Sequence, residues 1–275
     1  MLSSSLCTSR LSRAFSSRRT ILPAKRPRSA AISTMASSTV VYVKGDPATK
    51  TLGDCPFCHR ALLTFEAKKV PYTLEYIDFD NKPTWLQEVS GGKVPVIKEE
   101  GQPYMPDSDV IVVHLEDKYP EPPMKSSVPP EIGAKLFPAF RGWLLGPESE
   151  AADKRALLLA ELQGVDKWLS ENRQQGEVEG RWGCVCWGDA RRAAADQGPL
   201  FGGSRLNATD ASLAPKLYHI AVALKHFKGW QIPEELKAVH SYLSAVKQLP
   251  EWQHTDYGEA AIIRGWQRHM QQQHH

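Results

Sequence analysis

The chain lacks any uncharged apolar run long enough to cross a bilayer as a helix, which excludes a helical membrane-spanning class. Cysteine is scarce, with five residues in 275, at positions 7, 55, 58, 184 and 186. So few, so scattered, do not make a disulfide framework, and a reducing intracellular compartment fits better. A second C-x-x-C is missing, and only one residue separates Cys184 from Cys186, so the pair at 55 and 58 has no partner at zinc-site spacing. Acidic residues are absent from 1–39, a stretch rich in Ser that carries Arg10, Arg13, Arg18, Arg19, Lys25, Arg26 and Arg28. Taking these seven from the 34 basic residues leaves 27 against 31 acidic ones, so the formal charge of +3 becomes −4 for the rest. A mildly acidic body argues against nucleic acid as a partner. The leader has the composition of an organelle transit peptide and no continuous secretory core. A disordered basic tail is the plain alternative, and Met35 offers an internal start for an untargeted, cytosolic form.

What is present centres on Gly53-Asp54-Cys55-Pro56-Phe57-Cys58-His59-Arg60. Before it, Val40–Lys44 is β-branched and aromatic and predicts a strand. After it, Ala61, Leu62, Phe65 and Ala67 recur at near-helical spacing. Pro56 suits the first helical position, where its missing N–H costs nothing. Cys55 then falls at the N-cap, facing free backbone N–H groups and the positive end of the helix dipole. That setting lowers a thiol pKa, so Cys55 is the candidate nucleophile. Half a zinc site and two inert buried cysteines remain the alternatives for this pair, and the strand–proline–helix context favours the redox reading over both.

Residues 40–122 predict strand, helix, strand over 70–78, helix over 82–89, strand over 93–98, a short strand at 103–105, and a helix capped at Asp107-Ser108-Asp109. Pro95 fits only at a strand's start, in a turn, with a cis bond as one option, and such a turn leaves the Val94 amide and carbonyl free for an extended peptide. The proline-rich stretch 123–130 predicts a linker. Helices follow over 131–145, 149–172, 207–227 and 233–247. The third has a capping box at Asn207 and Asp210, a buried stripe of Leu213, Leu217, Ile220, Ala221 and Leu224, and a Pro215 that requires a late start or a bend. Residues 176–198, with Trp182, Cys184, Cys186 and Trp187, predict an irregular surface insertion, with a short helix over 189–196 and a metal or redox site as the lesser reading. Residues 271–275 predict a solvated tail.

A thioredoxin-like α/β unit followed by an all-α unit (131–270), with a cysteine at the first helix, resembles the glutathione transferase superfamily, and within it the plant-type dehydroascorbate reductases. The resembling stretches are Leu52–Phe57, Lys68–Tyr72, Asn81-Lys82-Pro83-x-Trp85, Gly92–Val96, Pro106–Ile111, Ala211–His219 and Gly265-Trp266. The resemblance implies glutathione-dependent reduction of dehydroascorbate to ascorbate, with Cys55 as nucleophile and no bound metal or cofactor, glutathione being consumed as reductant. It implies that Lys44 and Asp54 flank the cysteine and contact both substrates, that Lys82, Val94, Asp107 and Ser108 hold glutathione, and that His219 and Trp266 lie at the ascorbate pocket. It also implies a monomer without stable membrane association, and chloroplast stroma as the compartment, with the mitochondrion as alternative. Cys58 departs from a family in which serine is common there, and it could resolve the mixed disulfide internally. Lys82 could instead be a solvated lysine, Asp107 only a helix cap, and His219 and Trp266 packed core residues. An omega-like glutathione transferase or thioltransferase shares the fold. So does a chloride intracellular channel-like protein, although His59, Arg60, Glu66, Lys68 and Lys69 make the first helical unit a poor membrane segment.

Overall fold

The computed structural model describes residues 39–174 and 198–272. The expected transit peptide, the bulk of the 176–198 insertion with its short helix, and the end of the tail lie outside them. Strand β1 (Thr39–Asp46) turns into the two-residue β2 (Thr51–Leu52) and leads to helix α1 (Pro56–Lys68). Then come β3 (Thr73–Ile77), α2 (Thr84–Ser90), β4 (Val96–Glu99), β5 (Tyr104–Pro106) and α3 (Ser108–Lys118). β3 runs parallel to β1, β4 antiparallel to β1, and β5 antiparallel to β4. This is the thioredoxin-like arrangement the sequence predicts. Val41 and Val43 point from β1 into a core shared with Leu62 and Phe65 of α1 and Ile111 and Leu115 of α3. Alternation along β1 and helical spacing along α1 produce that core directly.

The helical half comprises α4 (Leu136–Leu145), a single 3₁₀ turn at Glu148–Glu150, α5 (Ala151–Gln174), α6 (Ala208–Lys228), α7 (Lys237–Lys247), α8 (Pro250–Thr255) and α9 (Glu259–Gln272). Among the described residues no helix is long and apolar enough to cross a membrane.

Several expectations shift. The helix predicted from 131 starts at Leu136, because Gly133 takes φ +71° and its bare Cα packs against Leu213 and Leu136. The helix predicted from 233 starts at Lys237 after a turn. α6 begins at Ala208 in spite of Pro215, which sits buried inside the helix, so the start is not late. Ala221 is half-buried, whereas the other four stripe residues are buried. In α3, Ile111, Val112 and Leu115 turn inward while Val110 and Val113 are exposed. The expected linker is tied down: Met124 is buried, its N–H meets the Glu116 carboxylate and its carbonyl accepts from Ala208. Lys68, with no side-chain exposure, pairs with Glu116 and donates to the carbonyls of Tyr119 at 2.7 Å and Pro122 at 2.9 Å. All the described residues accordingly belong to one compact unit with two apolar cores.

α1 joins those cores. Leu62 and Phe65 enter the sheet core while Leu63 enters the helical one, and α1 lies along α6. The capping box holds α6 in turn: Asn207 Oδ1 accepts from Thr209 and Asp210, and the Asp210 carboxylate accepts from the N–H groups of Asn207, Phe201 and Gly202 at 2.9–3.0 Å. Replacing Asp210 with alanine strands those donors, two of them fully buried. With about 1–3 kcal/mol for each buried unsatisfied group, chemical denaturation of Asp210→Ala should show a loss of about 3 kcal/mol. A loss below about 1 kcal/mol would mean that the three N–H groups find other partners.

Candidate active site

Cys55 occupies the N-cap of α1 with φ −100° and ψ 110°, and Pro56 takes the first helical position. The Cys58 N–H points at Cys55 Sγ from 3.5 Å, and the sulfur lies 4.0 Å from the Val94 carbonyl oxygen. Cys55 is half-buried, whereas Cys58 is buried. The Cys55 thiol pKa is lowered chiefly by a hydrogen bond from the Cys58 thiol. Burial opposes this, and the Cys58 and Phe57 amides and the Lys44 charge add to the lowering. The helix-end amides identified from sequence are thus present but secondary to the neighbouring thiol. Burial and its bond to Cys55 push Cys58 well above the ordinary thiol value, so it stays protonated and serves as the donor.

Cys55 opens onto a cavity of about 650 Å³ lined also by Phe57, Lys82, Val94, Asp107 and Ser108. Phe57 is 41% exposed at its rim and meets Phe137 of α4 edge-on, with ring centroids 5.9 Å apart. The Val94–Pro95 peptide bond is cis. Asp107 takes φ +79°, a conformation uncommon for a residue with a Cβ, and its carboxylate accepts from the Asp109 N–H at 2.8 Å. It is therefore a helix cap that also lines the cavity. Ser108, buried, opens α3, whose first N–H groups lack helical partners. The structure brings Cys55, Lys82, Val94, Asp107 and Ser108 to one cavity.

Lys44 and Asp54 are arranged differently. They pair with each other at 2.6 Å and line an adjoining cavity of about 390 Å³, walled on its far side by Arg264 and Arg268 of α9. Asp54 lies so close to α9 that a Cβ on Gly265 would sit 1.6 Å from its carboxylate oxygen, so only glycine fits there. His219 and Trp266 open onto neither cavity. They are 1% and 4% exposed, and Trp266 Nε1 donates to His219 Nδ1 at 2.9 Å. Burial lowers the His219 pKa to about 3, so its imidazole is neutral.

Sequence reasoning missed three residues. Phe79 lines both cavities, with the Lys82 ammonium 4.2 Å and the Lys44 ammonium 5.2 Å from its ring centre. Tyr257 holds His219 Nε2 at 2.8 Å. His59 fastens α1 to α8 through Thr255 Oγ1 at 3.0 Å and packs 4.3 Å from the Trp252 ring centre. No periodicity or motif marks Phe79 or Tyr257, since both sit in irregular connections. His59 could have been found from its place one turn after Cys55. Among the described residues no cluster of His, Cys, Asp and Glu is suited to a metal ion.

An activated cysteine capping the first helix of a thioredoxin-like half, closed by a helical half, defines the glutathione transferase class. The "Glutathione S-transferase, N-terminal domain" family matches residues 54–118. The chain is 37% identical over 249 residues to "Glutathione S-transferase DHAR3, chloroplastic" of Arabidopsis thaliana, covering 89% of this chain and 85% of that protein. It is 40% identical over 220 residues to "Probable glutathione S-transferase DHAR1, cytosolic" of Oryza sativa subsp. japonica, covering 78% and 90%. Among solved structures, Chlamydomonas reinhardtii dehydroascorbate reductase shares 61% identity at a TM-score of 0.74, over 84% of this chain and 98% of that one. The chain belongs to the DHAR family of glutathione S-transferases.

A lowered folded-state pKa means that the Cys55 thiolate persists as pH falls below the range where an ordinary cysteine, near 8.5, is protonated. The interactions that hold the thiolate stabilise the fold above that ordinary value, and this contribution is lost as pH falls through the depressed one. Iodoacetamide labelling against pH should show Cys55 reacting below pH 8.5. Cys58→Ala should move that profile upward by removing the thiol donor, while Cys58→Ser, which keeps a hydroxyl donor, should move it less. A free-cysteine profile in the unmodified chain would refute the activated thiol.

Proposed function

We propose that this chain reduces dehydroascorbate to ascorbate with two molecules of glutathione, through the Cys55 thiolate. The observation that carries the reading is the Cys55 sulfur itself, its pKa lowered by Cys58 and the helix-end amides, half-open to a cavity lined by Lys82, Val94, Asp107 and Ser108. Membership of a family whose relatives carry the DHAR name supports the same reaction.

Glutathione is a short peptide with one ammonium and two carboxylates. In the Cys55 cavity the Val94 backbone pairs with its extended chain, the Asp107 carboxylate meets its ammonium, and the Ser108 N–H and hydroxyl at the N-terminus of α3 donate to one carboxylate. Lys82, exposed over Phe79, meets the other. Lys44 and Asp54, in the adjoining cavity, flank both substrates, with His219 and Trp266 forming the wall behind. The thiolate takes up dehydroascorbate, a first glutathione thiolate attacks the Cys55 sulfur as ascorbate leaves with the electron pair, and Cys55 is left in a mixed disulfide with glutathione. A second glutathione thiolate attacks that disulfide, releasing glutathione disulfide and restoring the Cys55 thiolate. Glutathione is the reductant consumed, and the cycle calls for no bound cofactor or metal.

Cys58 is better placed to activate than to resolve, because it is buried and its thiol is held protonated. In steady-state assays Cys55→Ser should abolish dehydroascorbate reduction, while Cys58→Ser should retain most of it. Equal loss in both variants would require a dithiol cycle. A wild-type chain that reduces a glutathionylated peptide but not dehydroascorbate would make it a thioltransferase instead. Ser108→Ala and Lys82→Ala should each raise KM for glutathione several-fold and leave KM for dehydroascorbate unchanged. The reverse pattern would remove glutathione from this cavity.

The protein works as a monomer in the chloroplast stroma, a placement supported by the acid-free basic leader and by a relative named chloroplastic. A fluorescent fusion of residues 1–39 that enters mitochondria, or stays in the cytosol, would overturn the compartment. Light scattering at the mass of a dimer would overturn the monomer.

A further inference from the structure

The connection between β3 and α2 carries two residues that line the Cys55 cavity, and the cycle above uses only one of them, Lys82. Asp78 folds the connection: its carboxylate accepts from the Asp80 N–H at 3.0 Å and its carbonyl from the Asn81 N–H at 3.3 Å. An aspartate that bonds the backbone two residues on makes a tight turn. The turn sets the Lys82 ammonium 4.2 Å from the ring centre of Phe79. The ring itself is fixed, because Phe79 packs against the sheet core. Lys82 also runs along Gly92, where a Cβ would stand 3.5 Å from its Cδ and its Nζ.

Two lysines share this ring, and they are held differently. The Lys44 ammonium, 5.2 Å from the ring centre, pairs with Asp54 at 2.6 Å, so its charge is already met. Among the described residues no ion pair or hydrogen bond engages the Lys82 ammonium. An acidic partner would fix a lysine but would also neutralise it and occupy its donors. An aromatic face attracts the cation through its quadrupole and takes none of the three N–H donors. Lys82 is exposed, and without such a contact its flexible four-carbon stem would sample many rotamers in water. Phe79 and Gly92 line the same cavity as Cys55, so they hold Lys82 at that cavity with its full charge available.

The chemistry of glutathione says which group that charge meets. Its ammonium and one carboxylate sit on the same carbon of the γ-glutamyl end, and the other carboxylate ends the glycine. Asp107 and Ser108 are consecutive at the start of α3, so they take the γ-glutamyl pair and leave the glycine carboxylate to Lys82. We propose that Phe79 is a positioning residue that holds Lys82 over the Cys55 cavity with its charge uncompensated, and so makes the chain select thiol peptides with a free C-terminal carboxylate. This rests on the glutathione reading above.

The test measures KM for glutathione and for its glycine ethyl ester in steady-state dehydroascorbate reduction by the full-length chain. The wild type should favour the free acid. Phe79→Leu, which stays apolar but loses the aromatic face, should raise KM for glutathione about two- to fivefold, the effect of losing a cation–π contact at an exposed site. KM for the ester should not change, so the preference for the acid shrinks by the same factor. Phe79→Tyr, which keeps the aromatic face, should behave as the wild type. In a Lys82→Ala background Phe79→Leu should have no further effect, because residues that act through one another do not add. KM for dehydroascorbate and the pH profile of Cys55 alkylation should not move, which shows that the fold is intact. An equal rise for acid and ester in Phe79→Leu, or effects that add to those of Lys82→Ala, overturns the proposal and makes Phe79 a wall of the two cavities. An unchanged glutathione KM in Phe79→Leu, with Lys82→Ala still losing the preference for the acid, also overturns it and leaves the glutathione reading standing. A wild type that treats acid and ester alike, or uses neither, removes that reading, and this role with it.

Discussion

Everything at this site depends on α1 being held from both faces. Its Leu62 and Phe65 are locked into the sheet core and its Leu63 into the helical core, while Lys68 at its far end pairs with Glu116 of α3 and donates to the carbonyls of Tyr119 and Pro122 just after it. A helix anchored in this way cannot slide or tilt without opening a cavity in one core or the other, and well-packed interiors resist that strongly. The sulfur at its N-cap therefore stands at a fixed point relative to Val94 on one side and Asp54 on the other.

Fixing that point lets weak effects add. A helix end alone supplies partial charge and a few N–H donors. Here the larger contribution is the Cys58 thiol, one turn away, whose own ionisation is suppressed by burial. Two identical groups are driven apart because one is half-open and capping while the other is sealed. The same divergence separates acid from base in many active sites. It makes Cys58 a partner of the nucleophile in its ionisation, a role that demands proximity but no exposure.

The two cavities beside this sulfur share Phe79, whose ring carries one lysine from each. The Cys55 cavity is built wholly from the thioredoxin-like half. The Lys44–Asp54 cavity is completed by α9, and its tight seat on Gly265 brings the end of the chain against the residue before the nucleophile. The helical half thus does more than shelter the cysteine. It supplies the oriented Trp266–His219–Tyr257 series, in which each proton's position follows from the donor that precedes it.

The sequence by itself determined the order of elements from β1 to α7 apart from β2, the capping position of Cys55, the α6 capping box and the family, because local periodicity, caps and turn residues are written in neighbouring positions; it gave no sign of α8 and α9. It misplaced the starts of α4 and α7 and read the packed 123–130 segment as a free linker, since a proline-rich stretch looks alike whether or not a buried Met124 ties it down. It could not show that His219 and Trp266 are buried and hydrogen-bonded to one another, with Tyr257 on the other imidazole nitrogen. Only the tertiary structure decided that Lys44 and Asp54 pair with each other, that Phe79 lines both cavities, and that the buried Cys58 thiol joins the helix end in lowering the Cys55 pKa. Those facts depend on residues far apart in the chain meeting in low-dielectric surroundings, where the identity of a neighbour and its access to water set the energy and sequence spacing does not.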